Sequence, residues 1–182
     1  MADLLPGTVY YVRAYAVNIA GTGYGNQISF NSGYLFGTSF AGGLVFYNDG
    51  TGHGLVSATT DQSAATWGCF GTLIGGTSQA LLTGAANTAI IVAACATAGT
   101  AAKICNDLVL NSFTDLFLPS VDELNLMYLN LHVHSFGGFT AGYYWQSSEI
   151  DLNYAGVQSF VNGTWGARLK SATNLVRAVR AF

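Results

Sequence analysis

The chain has 182 residues and a formal net charge of -3, and 51% of its residues are hydrophobic whereas only 8% are charged. This length corresponds to one full domain and a fragment of a second. The hydrophobic content excludes a disordered chain. Because Lys and Arg together number six, the chain lacks the basic surface of a nucleic-acid-binding domain, and no nucleic-acid partner is expected.

The first segment, residues 1–32, is predicted to form a β-hairpin. Residues 9–17 are rich in Val, Tyr and Ala, residues 18–25 are typical of a turn, and residues 27–30 begin a second strand. Residues 4–10, Leu-Leu-Pro-Gly-Thr-Val-Tyr, resemble the tyrosine corner of fibronectin type III domains, and the residues that follow resemble the last two strands of that fold. A complete domain of that class has about 100 residues, so the resemblance implies a partial fibronectin type III-like hairpin.

The next segments are predicted to be a linker, two strands and a helix. Residues 33–42 are mainly Gly, Ser, Phe and Tyr and are predicted to be the linker. The strands are expected at residues 43–47 and 54–58, on either side of the turn sequence Asn-Asp-Gly. A helix is expected over residues 88–96, with Asn87 as its N-cap. Residues 62–102 carry no charge, but their most apolar part, residues 89–95, is flanked by Gly, Thr and Asn and is shorter than the ~20 apolar residues of a membrane span. We therefore expect a core helix and no membrane insertion.

The last part of the chain is predicted to contain two more helical segments, followed by short strands. Residues 101–108 form the first helical segment. Residues 120–123, Ser-Val-Asp-Glu, form a capping box ahead of apolar residues at helical spacing. Strands are expected at residues 143–145, 157–161 and 176–182. This order predicts an α+β fold with two or more helices and short irregular β-strands.

Several segments together resemble one protein family. They are Gly-Leu-Val-Phe-Tyr at 43–47, Trp-Gly-Cys at 67–69, residues 101–107, Leu-Pro-Ser-Val-Asp-Glu-Leu at 118–124, Trp-Gln-Ser-Ser-Glu at 145–149 and Val-Arg-Ala-Val-Arg-Ala-Phe at 176–182. In this order they resemble bacterial C-type-lectin-like domains related to the C-terminal domain of the Legionella collagen-like adhesin. Within that group they are most similar to the variable proteins of diversity-generating retroelements. The resemblance implies a C-type-lectin-like ligand-binding domain over residues 43–182.

In variable proteins of this kind, errors at template adenines turn Asn codons into codons that end in C or T. The resemblance places the diversified segment at residues 150–175. Pyrimidine-ending codons cannot encode Lys, Glu, Gln, Met or Trp, and in this segment those types occur only at Gln158, Trp165 and Lys170. Gln158 and Lys170 lie where a fixed framework is expected, together with Phe160, Asn162, Gly163 and Thr173. Trp165 departs from the codon pattern, and Gln146 departs from the Ser more usual in the family motif.

The diversified segment implies a set of candidate ligand-binding residues. Their hydrophobic pattern lacks a clean period of two, which is typical of surface loops on a scaffold rather than of a strand with one buried face. Tyr, Trp and Arg are the residue types most often found as binding anchors, and a core role for Trp165 and Val161 is the alternative. The candidates are Ile150, Asp151, Asn153, Tyr154, Gly156, Val157, Ser159, Val161, Thr164, Trp165, Gly166, Ala167, Arg168, Leu169, Ser171, Ala172 and Asn174.

No catalytic residue, metal site or cofactor is expected. His132 and His134 follow a helix and have no Cys or carboxylate close in sequence as a third ligand. Formylglycine-generating enzymes share the fold and depend on cysteines near the C-terminal end of the domain, but no Cys follows Cys105. Cys105 is expected to be a small core residue.

Two other features have structural interpretations. Cys69 and Cys95 are a possible disulfide. Glu149, at the end of a predicted strand beside the diversified segment, is expected to have a structural hydrogen-bonding role rather than a ligand-binding one. Asp115 is a candidate cap of a turn.

The expected function is therefore non-enzymatic binding of a ligand or receptor through a hypervariable surface diversified by a retroelement. The partner would be a protein or glycan on a cell surface, and the location would be extracellular, on a bacterial cell or a phage virion. The alternative is a surface adhesin with fixed specificity for glycans.

Overall fold

The computed structural model describes residues 4–5 and 7–182. This part of the chain contains three α-helices, one 3-10 helix and thirteen β-strands, which is an α+β fold. The helices are α1 (Gly84–Ala94), α2 (Ala101–Asp107), α3 (Val121–Asn130) and the 3-10 helix His132–His134. The strands are β1 (Val9–Val12), β2 (Tyr15–Asn18), β3 (Gly21–Tyr24), β4 (Ile28–Asn31), β5 (Ser39–Phe40), β6 (Gly43–Asn48), β7 (Gly54–Ser57), β8 (Gln62–Thr66), β9 (Tyr143–Glu149), β10 (Tyr154–Ser159), β11 (Trp165–Leu169), β12 (Thr173–Val176) and β13 (Val179–Ala181).

The N-terminal segment is a long β-hairpin, as predicted, but its turn is shorter than expected. β1 pairs with β4 and β2 pairs with β3, so the hairpin continues past its irregular middle. Asn18 pairs with Gly21, and its side chain accepts a hydrogen bond from the amide of Ala20 at 2.8 Å. This tight closure leaves residues 21–24 free to form a strand instead of the predicted turn.

The segment predicted to be a linker, residues 33–42, contains strand β5. β5 pairs with β6 and forms the edge of a four-stranded antiparallel sheet with the order β13-β7-β6-β5. The rings of Tyr34 and Phe40 pack against Phe182, with centroids 5.1 Å and 4.9 Å away. The segment is ordered against the domain because its aromatic side chains meet the C-terminal residue, which the local sequence does not reveal.

A second sheet has the order β11-β10-β9-β12-β8. β12 runs parallel to β9, and the other neighbours in this sheet are antiparallel. The single strand predicted over residues 176–182 is wrong, because Val176 pairs with Gln62 of the second sheet whereas Val179 pairs with Ser57 of the first. The chain changes sheet between these two residues. β8 and β11 were not predicted, whereas β6 and β7 were.

Helix α1 begins at Gly84, earlier than predicted, and Asn87 is not its N-cap. Asn87 lies buried inside the helix, where its side chain accepts from the amide of Ser78 and donates to the carbonyl of Ser78 and to the Ser147 hydroxyl. The amide of Gly84 donates to the Glu123 carboxylate at 3.2 Å. The first amide of the helix is therefore satisfied by a side chain of α3. The expected capping box of α3 is present, with Ser120 and Glu123 bonded reciprocally.

The core consists of two clusters on opposite faces of β9. Trp145 faces the first cluster, which includes Trp67 and Ile91, and its indole N–H donates to the carbonyl of Ala65 at 2.8 Å. The next residue, Tyr144, faces the second cluster, which includes Phe160. Side chains alternate along a strand, so β9 lies at the centre of the fold. Cys105 is buried in the first cluster, as expected. Within the described residues, no helix combines the length and the apolar character that a membrane crossing requires.

Candidate ligand-binding face

Residues 150–175 comprise the turn after β9, strands β10 and β11 with the turns that follow them, and the first residues of β12. A tight turn at residues 150–153, here called the tip, joins β9 to β10, and the amides of Ile150 and Asp151 both donate to the carbonyl of Tyr154. Asp151 accepts from the amides of Asn153 and Tyr154, each at 2.7 Å. β10 then pairs with β11 at the sheet edge. The short connections keep the whole segment on the rigid second sheet.

The candidate residues divide into three groups by exposure. The exposed group lies at the tip, on β11 and in the turns beside it: Ile150, Asp151, Tyr154, Val161, Thr164, Trp165, Ala167, Leu169 and Ser171. A half-buried group consists of Asn153, Gly166, Arg168 and Ala172. The buried group consists of Gly156, Val157, Ser159 and Asn174.

The buried group is a correction to the predicted site. Gly156, Val157 and Ser159 lie on β10, which is covered on both edges by neighbouring strands, and Asn174 lies on β12 between β9 and β8. Val157 forms the floor of the cleft described below. The other three offer no exposed side chain to a ligand and belong to the scaffold. The irregular hydrophobic pattern could not separate them from the exposed positions.

An open cleft with a volume of about 510 Å³ lies on β10 and β11. Its walls include Tyr143, Tyr154, Trp165, Arg168 and Leu169. Trp165 is 54% exposed, and Val161, in the turn between β10 and β11, is 67% exposed. A core role for these two residues is therefore excluded. The cleft presents aromatic rings, one guanidinium group and few other charges.

Tyr143 is a cleft residue that sequence reasoning missed, because it precedes the diversified segment. The guanidinium carbon of Arg168 lies 3.8 Å from the centre of the Tyr143 ring, which is a cation–π contact. Tyr143 is paired with Ser159 at the start of β9 and faces away from its buried neighbour Tyr144. The contact fixes the positive charge of Arg168 at one wall of the cleft. The alternation of side chains along the predicted strand 143–145 could have indicated that Tyr143 faces away from the core.

Three of the six expected framework residues lie beneath the face, whereas Asn162 and Thr173 are exposed and Gly163 is half-buried. Gln158 and Phe160 are buried, and the Gln158 amide donates to Asn125 of α3 and to the carbonyl of Gly163. Lys170 is fully buried, and its ammonium group donates to Glu149 at 2.5 Å. The expected structural role of Glu149 is confirmed, since its carboxylate is engaged by this pair and by two backbone amides.

The C-terminal motif also has structural partners. Arg177 is buried and pairs with Asp61, with 2.7 Å between the charged atoms. Arg180 donates two hydrogen bonds to Asp115, each at 2.8 Å. These bonds lower the pKa of the Asp115 carboxyl from its ordinary value. Asp115 therefore binds Arg180, which is 65 residues away in sequence. The sequence analysis considered only a local role for Asp115, as the cap of a turn.

In the part of the chain that the structure describes, the cysteines form one disulfide and one buried thiol. The structure contains the Cys69–Cys95 disulfide, so the suggested pairing is confirmed. Cys105 is a free thiol whose pKa is raised by burial, which keeps it in the unreactive protonated form. His132 packs among aromatic rings, including those of Tyr128 and Phe160. Among the residues that the structure describes, no three His, Cys, Asp or Glu side chains are grouped as metal ligands.

The chemistry of this face suits stacking and apolar contacts with a ligand, and the guanidinium group of Arg168, held against the Tyr143 ring, adds one positive charge. Exposed aromatic and aliphatic side chains lie on a sheet that is fixed from below by buried hydrogen bonds. Comparison with known proteins assigns no family: no family model matches the chain, and no curated protein matches it as a relative.

Proposed function

We propose that this chain is a non-enzymatic ligand-binding protein, with a C-type-lectin-like fold over residues 43–182 and a ligand-binding face on the segment 150–172. The observation that carries this proposal is the open cleft on β10 and β11, where Tyr154, Trp165 and Arg168 converge. These residue types are the commonest energetic anchors of binding surfaces. Exposed aromatic side chains on a rigid sheet bind with little loss of conformational freedom.

We further propose that a retroelement diversifies this face. The exposed candidate residues other than Trp165 are all types that pyrimidine-ending codons encode. Gln158 and Lys170 are types that such codons cannot encode, and both are buried in the framework. Two of the three disallowed residues in the segment 150–175 are therefore buried, and Trp165 is the exposed exception. The absence of other disallowed types from the exposed positions supports a surface that varies.

The motif residues that carry the family resemblance support the fold assignment. Trp145, Glu123 and Arg177 are all buried and hydrogen-bonded across the domain. Within the N-terminal hairpin, the hydroxyl of Tyr10 accepts a hydrogen bond from the amide of Leu5 at 2.7 Å. A bond from this tyrosine back to the upstream backbone is the defining contact of a tyrosine corner. It supports a fibronectin type III-like origin for residues 1–32.

The DNA around the gene provides the first test. We expect a near-copy of codons 143–182 that differs only at adenines, beside a reverse transcriptase gene. A locus with neither element would refute diversification and leave the binding face as a fixed one.

A second test asks whether the protein folds without the exposed apolar side chains of the face. The exposed side chains of Ile150, Tyr154, Val161 and Leu169 are replaced together by serine, with Phe160→Ser as the buried control. We expect the surface variant to lose no more than about 2 kcal/mol in free energy of unfolding, since each exposed substitution usually costs about 0.5 kcal/mol or less. The single control substitution should lose more, about 3–5 kcal/mol. Unfolding of the surface variant would contradict the proposal that these residues are free to vary.

A fixed-specificity adhesin for glycans is the second candidate, and Trp165 favours it. Its indole is exposed in the cleft, yet no pyrimidine-ending codon encodes it, so the template would have to hold this position constant. Binding of the wild-type protein on a glycan array, lost in Trp165→Ala, would support this candidate. In both cases we propose a protein or glycan ligand on a cell surface and an extracellular location on a bacterial cell or virion. The Cys69–Cys95 disulfide supports an oxidising compartment.

A further inference from the structure

The tip of the binding face rests on a loop that lies far away in sequence. This loop, residues 67–75, is here called the clamp loop. The amide of Gly71 donates to the carbonyl of Leu152 at 2.9 Å. The amides of Trp67 and Gly68 both donate to the carbonyl of Lys170, at 3.0 Å and 3.3 Å. The clamp loop therefore touches both the tip and the end of β11.

A buried ion pair between Glu149, which precedes the tip, and Lys170, which follows β11, also joins both regions to the clamp loop. The side chains of Glu149 and Lys170 are 3% and 0% exposed. The Glu149 carboxylate accepts from the amides of Ile74 and Gly75, at 2.9 Å and 2.6 Å. The Lys170 ammonium also donates to the carbonyl of Thr72 at 2.9 Å. Both charges are thus compensated by each other and by the backbone of the clamp loop.

The clamp loop has little apolar packing of its own in its central part. Phe70 and Leu73 are 52% and 65% exposed. Cys69 has a φ of +47°, a region that residues other than glycine rarely adopt. Its disulfide to Cys95 attaches the loop covalently to the residue that caps the end of α1. Without that bond, the central loop would be held to the protein mainly by hydrogen bonds.

We propose that the Cys69–Cys95 disulfide, Glu149 and Lys170 act as positioning residues for the tip, so that the shape of the binding face depends on the redox state. This inference rests on the proposed function of the face. In the redox step, a dithiol delivers two electrons and two protons, the bond between the two Sγ atoms breaks, and Cys69 and Cys95 become thiols. The dithiol is oxidised to its own disulfide. Cys69 is half-buried, which leaves it open to thiolate attack, whereas Cys95 is buried.

Reduction releases the clamp loop at Cys69, next to the hydrogen bond from Gly71 to the tip. The tip then loses part of its support, while α3 and the second core cluster, which contains no cysteine, keep their contacts. The proposal therefore predicts a binding face that is rigid in oxidising surroundings and locally mobile in reducing ones. Segments with few apolar contacts are the ones that open below the free energy of global unfolding.

Amide hydrogen exchange tests this on the full chain and needs no ligand. The oxidised protein is compared with the protein treated with dithiothreitol, and Cys69→Ala/Cys95→Ala serves as the control that cannot respond to the reductant. We expect exchange in residues 150–154 and 169–172 to become about tenfold faster on reduction, with α3 unchanged. The double variant should exchange fast at the tip with or without dithiothreitol. An unchanged tip, or equal acceleration in α3, would overturn the proposal.

Glu149→Gln provides a second route to the same prediction without touching the disulfide. The variant keeps one carbonyl oxygen but loses the charge that faces Lys170. Asp115→Asn is the matched control, since it removes a carboxylate paired with Arg180 at a distant site. We expect faster exchange at the tip only in Glu149→Gln, and equal exchange in both variants would refute the role of the ion pair. These results are independent of whether residues 150–175 are diversified, so they separate this inference from the proposed function.

Discussion

Replacing Lys170 by methionine is the sharpest test of how the binding face is supported. Met has a side chain of similar length and adapts easily to buried surroundings, so the apolar stem of Lys170 is largely replaced. The substitution removes the ammonium group, together with its bonds to Glu149 and to the carbonyl of Thr72. It also removes the charge that lies 4.9 Å from the centre of the Trp67 ring. The Glu149 carboxylate then stays buried without its counter-ion.

The expected loss in free energy of unfolding follows from the burial of the Glu149 carboxylate. Removing one partner of a buried ion pair costs about 3–5 kcal/mol, because the remaining charge is left uncompensated in a low-dielectric interior. The two amides of the clamp loop still donate to Glu149, so we expect the lower part of that range. Lys103→Met is the matched control. Lys103 pairs with Asp107 one helical turn away, and side-chain exposures of 25% and 53% place this pair near the surface, where solvent screens ion pairs and they contribute little to stability.

Urea denaturation, followed by fluorescence, measures the free energy of unfolding of the wild-type protein and of both variants. The slope of that free energy against urea concentration is compared between the proteins. We expect Lys170→Met to lower the free energy of unfolding by about 3 kcal/mol and Lys103→Met by less than about 1 kcal/mol. Equal small losses in the two variants would refute the conclusion that Lys170 is a buried supporting charge. Adding Glu149→Met to Lys170→Met should restore part of the loss, since the uncompensated charge is then removed.

The remaining predictions concern the face, the scaffold beneath it and the capping box. Trp165→Ala should change the free energy of unfolding by less than about 1 kcal/mol, whereas Trp145→Ala should lower it by about 3–5 kcal/mol; similar losses in thermal denaturation would contradict the exposed position of Trp165. Gly156→Ala would place a Cβ 2.2 Å from the amide oxygen of Gln146, so we expect a loss of about 1–3 kcal/mol that Gln146→Ser relieves, and a loss that persists in the double variant would refute this clash. Burial raises the pKa of Glu123, so the stability that its protonated form contributes is present below the ordinary glutamate pKa and is lost as the pH rises through the raised value. The stability of Glu123→Gln relative to wild type should therefore increase with pH over that window, and urea midpoints that keep a constant difference would contradict it.

Features set by short stretches of sequence were predicted correctly. Helix α3 begins where its capping box requires, since Ser120 and Glu123 are close enough along the chain to bond each other in any context. The hairpin of β6 and β7 follows from two apolar strands joined by a turn sequence. The exposed position of Trp165 agrees with the interpretation based on its residue type.

Features that depend on distant partners were missed. Asn87 is a sensible N-cap by local rules, yet it binds Ser147 across 60 residues. Tyr143 joins the cleft because it lies at the start of a central strand beneath Arg168. Residues 33–42 pack on the domain because Phe182 reaches them from the other end of the chain.

The sequence alone therefore determined the α+β class, the capped helix and the first hairpins, whereas the position of the candidate face is a prediction from the family resemblance. The tertiary structure decided which residues of that segment face solvent and what supports them. The physical reason is that burial depends on both sides of a strand and on partners anywhere in the chain. Lys170 illustrates this. The residue is charged and lies within the segment 150–175, but its ammonium group is buried because the carbonyl of Thr72, 98 residues away, and the Glu149 carboxylate enclose it.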